Sequence, residues 1–329
     1  MKYLALPKQC LWVLLALSPL AKAADPAHEW LRKIDHAGQG VNYAGTFVYQ
    51  HGNHLQTMRV IHRVNKGKVT ERLVSLNGVA REIIRNDQEV RCFLPDQNSV
   101  VVEHRKIVGK SFLNILPAHL VDVDKNYTIE LGKGGRVADR VVQAVIIKPK
   151  DHYRYGYQLW ADKQTGLLLK ATLVDDQDKT IEQFMFTEIN FRKVISASEL
   201  TPQNSGKNLV WYRGKGNSEK GSPLAKDKNK PMWSATALPP GFKLSARLTR
   251  QMPMRHNPVE HLVYSDGLAA VSVFIEKIEN DPKGNIHGIN RMGAVHTYGK
   301  VVDGHQVTVV GEVPATTVNM IGESVQPLK

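Results

Sequence analysis

From Tyr43 to Ile189 the apolar residues recur mainly at every second position, the period of strands that bury one face. Polar turns divide the first part at His51-Gly52-Asn53, Asn65-Lys66-Gly67, Asn77-Gly78, Asn86-Asp87 and Asp96-Gln97-Asn98, so it reads as an antiparallel meander. Strands resume over Tyr127–Leu131, turn through Gly132-Lys133-Gly134-Gly135, and continue over Arg140–Ile147, Tyr155–Ala161, Leu167–Val174 and Thr180–Ile189. Two stretches depart from this period. Ala27, Trp30, Leu31 and Ile34 recur at helical spacing behind a capping Asp25 and Pro26, which predicts a short helix stopped by Gly38 and Gly40. Phe112, Leu113, Ile115 and Leu116, ahead of Pro117, predict a second short helix over one sheet face.

The stretch LWADKQTGLLLKATLV, residues 159–174, reads as a hairpin closed by Gly166, yet Leu167, Leu168 and Leu169 put large apolar groups on both faces. One long sheet curled on itself, with a helix such as Trp30–Ile34 sealing one face, is the economical solution. Leu167, Leu169 and Leu173 would then share one side, with Leu168 and Val174 on the other. Candidate residues for an apolar, lipid-sized hollow are Trp160, Leu167, Leu169, Leu173, Phe184 and Phe186, joined by Phe112 and Leu116. The plain alternative is that these side chains are ordinary core.

The character changes near Ser196. Between Gln203 and Lys230 the periodicity fades, and Lys207, Arg213, Lys215, Lys220, Lys226, Lys228 and Lys230 outnumber Glu219 and Asp227. This marks 197–230 as a basic flexible linker, with Leu209, Val210, Trp211 and Tyr212 as an apolar exception able to dock on a neighbouring surface. Beyond Pro239-Pro240-Gly241, strands are expected over Phe242–Thr249, His261–Tyr264, Leu268–Glu276, Met292–Tyr298 and Gln306–Val310, with tight turns at Asp266-Gly267 and Asp303-Gly304. A final helix follows Pro314. The fold class is therefore α+β: a half-open antiparallel β-barrel with helices over residues 24–196, and a smaller antiparallel α+β domain over 231–329.

The first 23 residues decide the compartment. Lys2 and Lys8, the apolar run Leu11–Leu17, Pro19 and the small-residue site Ala21-Lys22-Ala23 form an export signal cleaved after Ala23. No later segment approaches the roughly 18 uninterrupted apolar residues of a membrane helix, so a periplasmic location is expected. The formal charge is +13; removing Lys2, Lys8 and Lys22 lowers it by three to +10. In an exported chain such a balance points to anionic lipid, phosphorylated glycolipid or an acidic protein surface rather than nucleic acid, unless it serves solubility alone. Loss of Cys10 with the signal leaves Cys92 as the sole thiol, so no internal disulfide forms.

Catalytic constellations are not found. Gly132-Lys133-Gly134-Gly135 lacks the spacing and terminal Lys-Ser/Thr of a phosphate loop. Asp175, Asp176 and Asp178 lack the central Gly and distal Glu of a calcium loop. His51 and His54, with His62 on the next strand, approach a metal set, but no Cys or carboxylate completes it. Cys92 alternates with Val90 and Leu94, the setting of an inert core thiol. Neither an enzyme nor a cofactor is expected.

The segment YQLWADKQTGLLLKATLVDDQDKTIEQFMFTEI resembles strands of bacterial lipoprotein-carrier folds, in which an unclosed barrel holds acyl chains. More specific are YAGTFVYQHGNHLQTMRVIHRV, LNGVAREIIRNDQEVRCFLPD, HLVYSDGLAAVSVFIEK, MGAVHTYGK and VTVVGEVPATTVNMIGESV, which together resemble the RseB/MucB family of periplasmic sigma-factor regulatory proteins. The resemblance implies a non-enzymatic negative regulator of an envelope-stress sigma factor. Its partner would be the periplasmic domain of an RseA/MucA-type anti-sigma factor, shielded from proteolysis until lipid A or lipopolysaccharide loosens the complex. It also implies that homodimers can form. A lipid or lipoprotein carrier without a regulatory role is the alternative, and the C-terminal domain, which a carrier does not need, counts against it.

Overall fold

The computed structural model describes residues 25–104, 123–203, 209–213, 233–250, 258–278 and 286–328; the export segment, Phe112 and Leu116 lie outside these residues. Helix α1 (Pro26–Gly40) begins as expected, with the Asp25 carboxylate accepting the Ala27 N–H at 2.9 Å. It does not stop at Gly38. That residue is buried together with Leu31, Ile34 and Ala37, so packing outweighs a glycine penalty of about 1 kcal/mol.

Strands β1 (Tyr43–His51), β2 (His54–Asn65), β3 (Lys68–Ser75), β4 (Glu82–Arg85), β5 (Glu89–Leu94) and β6 (Ser99–His104) form the first meander. Its turns hold Gly52, Gly67, Gly78 and Asn98 at positive φ, where these residue types are tolerated. A helical turn α2 (Val123–Asn126) leads into β7 (Tyr127–Val137), β8 (Arg140–Pro149), β9 (Gly156–Asp162), β10 (Leu168–Val174) and β11 (Thr180–Phe191). β1 pairs with β11 and joins the two meanders. β12 (Val210–Arg213) then adds in parallel to the edge of β6, completing a 12-stranded sheet in the order β12-β6-β5-β4-β3-β2-β1-β11-β10-β9-β8-β7. The sheet curls: β7 comes against β11 although β8, β9 and β10 lie between them, while the β12 and β7 edges stay unjoined. The half-open antiparallel architecture is the expected one. The apolar exception at 209–212 does dock, Leu209 packing on Ile84, Phe93, Val100 and Val102, and Trp211 meeting Phe93 edge-on.

The leucine triplet shows what covers each face. Leu168 and Ala171 join Leu31 and Ile34 of α1 with Val145, Ile147 and Leu159, whereas Leu167 and Leu169 join Tyr43, Phe47, Val60 and Phe186. So the helix covers one set and the remainder of the curled sheet covers the other. A bulge between Leu168 and Lys170 interrupts the alternation, and Leu173 leaves Leu169 to pack with Tyr155 and Ala294.

The C-terminal part comprises β13 (Trp233–Ala235), β14 (Lys243–Arg250), β15 (Val259–Ser265), β16 (Ala270–Lys277), β17 (Gly288–Met292), β18 (Val295–Val302), β19 (His305–Gly311), α3 (Ala315–Ser324) and β20 (Val325–Pro327). Six strands form a sheet in the order β14-β15-β16-β19-β18-β17, and β13 pairs with β20. Val318 and Ile321 of α3 pack with Val271, Val273, Val307, Val309 and Trp233 in one core. The single strand expected over Met292–Tyr298 is instead a hairpin. Gly293, at φ +69°, reverses the chain between β17 and β18.

Candidate functional site

The two sheets meet along a seam with polar groups at both ends. At one end Arg154, closed to solvent, lies 2.9 Å from Asp266 and 3.1 Å from Asp151. It also donates to the Pro240 carbonyl at 2.6 Å and sits over the rings of Tyr127 and Phe242. Tyr127 donates to Asp266 at 3.0 Å, and burial, followed by the Asp266 charge, pushes its hydroxyl far up, so it stays a donor. Asp266 in addition accepts the N–H groups of Leu268 and Ala269, so one carboxylate both shapes its own turn and holds the opposite sheet.

At the other end the turn between β17 and β18 plugs into the 12-stranded sheet. Ala294 is fully buried against Tyr155 and Leu173, and its N–H donates to Glu182 at 3.1 Å. Glu182 also accepts from the Tyr49 hydroxyl at 2.6 Å and lies 3.8 Å from His51. Gly293 sits so close to His51 that a Cβ would fall 1.8 Å from Nε2. Behind the turn, His296 shares Nδ1 between the Val313 carbonyl at 2.8 Å and the Tyr155 hydroxyl at 3.3 Å, and burial lowers its pKa.

Beside this turn opens a cleft of about 470 Å³, lined by Tyr49, His51, His54 and Gln56 from β1 and β2, Glu182 from β11, and Met292, Val295 and Glu312 from the C-terminal part. Glu312 as a whole residue reaches solvent, but the loss of water around its carboxyl where it faces the cleft, and then the neighbouring Glu182 charge, push that carboxyl up to about 7. A smaller cleft of about 180 Å³ sets Lys148, Lys150 and His152 across from Asp175, Asp176 and Asp178. Those aspartates behave as a turn: Asp175 accepts the N–H groups of Gln177 and Lys179.

The proposed lipid residues are brought together as packed side chains. Leu167, Leu169 and Phe186 are buried in one cluster, Phe184 bridges two, and Trp160 is half-buried with the Lys170 ammonium 4.4 Å from its ring centroid. Leu173 stands at the seam, and none of the six lines either cleft. The histidines do not converge either. His62 is buried against Glu71 at 2.8 Å and stacked on Tyr43, away from the cleft that His51 and His54 line. Among the described residues no cluster of three His, Cys, Asp or Glu side chains is placed to hold a metal. Burial raises the Cys92 thiol, opposing the thiolate form. Sequence reasoning passed over Arg154, Glu182 and Glu312, because each takes its meaning from a partner far away in the chain.

Residues 26–204 match the family model of the MucB/RseB N-terminal domain, and residues 227–326 that of the MucB/RseB C-terminal domain. The chain belongs to the MucB/RseB family. The sigma factor AlgU regulatory protein MucB of Pseudomonas aeruginosa is 31% identical over 314 residues, covering 94% of this chain and 93% of that protein. The sigma-E factor regulatory protein RseB of Escherichia coli K12 is 26% identical over 318 residues, covering 95% and 94%. Among solved structures, MucB in complex with MucA(peri) aligns with a TM-score of 0.68 at 28% identity, over 92% of this chain and 99% of that one. Among the described residues of this MucB/RseB family member, no helix is long and apolar enough to cross a membrane.

Proposed function

We propose that this MucB/RseB family member is a periplasmic negative regulator of an envelope-stress sigma factor, exported by a signal cleaved after Ala23. It binds the periplasmic domain of an RseA/MucA-type anti-sigma factor and keeps that domain from regulated proteolysis. It lets go when lipid A, lipopolysaccharide or another mislocalised acylated lipid binds. The observation that carries the reading is the correspondence, over 92% of this chain, with a MucB solved together with MucA(peri). Binding rather than catalysis is its activity. The working division is a carrier-like domain over 24–196, a basic linker over 197–230 and a small domain over 231–329, with self-association as a homodimer.

The lipid arm rests on linkage. A ligand that favours a conformation holding the anti-sigma domain less well lowers its affinity by that same difference. Because Leu167, Leu169 and Phe186 are packed, acyl chains would have to part these side chains, which gives lipid a conformational consequence. The test is protease protection of the purified anti-sigma periplasmic domain, with and without lipopolysaccharide fragments. Protection that lipid relieves is the expected result. Absence of protection sinks the regulator reading, and with lipid shuttling between vesicles would favour the carrier. Protection indifferent to lipid removes the sensor role alone.

A further inference from the structure

The cleft beside the Gly293-Ala294 turn carries chemistry that the seam leaves unused. Glu182 reaches it from one sheet and Glu312, just beyond β19, from the other. Glu182 is held in place by Tyr49 and the Ala294 N–H, whereas Glu312 stands exposed at the mouth. The two influences on Glu312, its surroundings and the Glu182 charge, both oppose ionisation, and no lysine or arginine is among the described residues lining the cleft. In a chain of formal charge +13 this is a local reversal of sign. Met292, 76% exposed, supplies an apolar wall. It ends β17, an edge strand whose five residues are all exposed and whose outer side pairs with no other strand among the described residues, the arrangement that invites an added strand.

We infer that this cleft is a cation-accepting subsite: it takes the guanidinium or ammonium of a basic side chain, carried by an extended peptide segment of the anti-sigma periplasmic domain that lies along the β17 edge. The inference rests on the function proposed above and names what one part of the molecule recognises. An added strand supplies main-chain hydrogen bonds, and the cleft supplies side-chain selection. The cation takes the place of the proton that Glu312 otherwise holds. Arginine suits the site best, because its planar fork can engage a carboxylate from each sheet.

The surrounding groups set the pH behaviour. Binding strengthens as pH rises through about 7, where Glu312 gives up its proton. His51 and His54 face the cleft from the β1–β2 hairpin. Arg291 is engaged with the Gly293 carbonyl at 2.8 Å, and His296 lies behind the turn against Val313. The Tyr49, Tyr155 and Tyr157 hydroxyls, raised by burial, remain neutral in this range.

The test uses the whole mature protein with labelled methionine methyl groups, agmatine as the guanidinium probe, and the Met292 methyl resonance as readout, assigned with Met292→Leu. A saturable shift is expected at about pH 8, several-fold weaker at about pH 5.5, and lost in Glu312→Gln. No saturable shift, or the same shift in Glu312→Gln, overturns the subsite. The second arm titrates the anti-sigma periplasmic domain. Glu312→Gln should bind about tenfold more weakly at alkaline pH with a flattened pH profile, and Glu312→Lys more weakly still. Equal affinity and equal pH dependence in all three proteins overturns the peptide part. No complex even with the unaltered chain would instead overturn the proposed function, while a retained agmatine shift would still support the cation subsite.

Discussion

Leu169 and Arg154 are both closed to solvent, yet they hold the molecule in different ways. Around Leu169 the contact is apolar and non-directional, with Tyr43, Phe47, Val60 and Phe186 filling one cluster, and a fully buried leucine of this kind contributes about 2 kcal/mol. Around Arg154 the contact is directional: Asp266, Asp151 and the Pro240 carbonyl each take a defined place about one guanidinium. The first region tolerates small adjustments and resists separation. The second fixes how one sheet sits on the other, and is sensitive to the loss of any single partner.

The comparison can be broken most sharply at Arg154. Arg154→Ala leaves Asp266 buried without its cation and should destabilise by about 4 kcal/mol in denaturant unfolding. A loss below about 1 kcal/mol for the single change would show that the pair does not hold the seam. Leu169→Ala should cost about 3 kcal/mol through the cavity it leaves, without altering how the sheets are docked. Gly293→Ala combines a left-handed backbone with a clash on His51 and should cost about 1 to 2 kcal/mol. Adding His51→Ala should relieve the clash and leave only the backbone part; if the double variant recovers nothing, the turn is not seated against His51.

The smallest effect is on pH dependence. Glu312 has a pKa raised from 4.5 to about 7 in the folded protein, so its contribution to stability is fully present below about 4.5 and is lost as pH rises through about 7. His296, lowered from 6.5, acts oppositely, and stability falls as pH drops below that value. Glu312→Gln should therefore remove the alkaline slope of the unfolding midpoint and keep the acid one, which a pH series of melting curves measures directly.

Much of this architecture was legible in the residues. The meander follows from turn chemistry, because Gly52, Gly67, Gly78 and Asn98 occupy backbone regions that most residues avoid. The docking strand at 209–212 was visible as an apolar island in a polar stretch. What escaped has local patterns that favour another outcome. Gly38 looks like a helix stop, and only its burial shows why the helix continues. Met292–Tyr298 reads as one strand because a single glycine inside a strand pattern looks like a bulge rather than a reversal. Leu173 shares the parity of Leu169 until a bulge removes it, and no residue type announces that bulge. The cleft carboxylates were the least legible. Glu182 and Glu312 are ordinary surface letters in sequence, and their chemistry arises only where two sheets face each other.

One consequence of β12 concerns how the two halves behave if the seam opens. The strand is fastened to the edge beyond β6, whereas the seam residues Tyr127, Leu173, Glu182 and His51 lie on β7, β10, β11 and β1. Parting the seam therefore leaves Val210–Arg213 attached, so the chain between the two halves is counted from Arg213 rather than from the end of β11. Fewer residues between two surfaces raise the effective concentration of one at the other, so re-closure becomes an intramolecular event that a competing ligand must outpace.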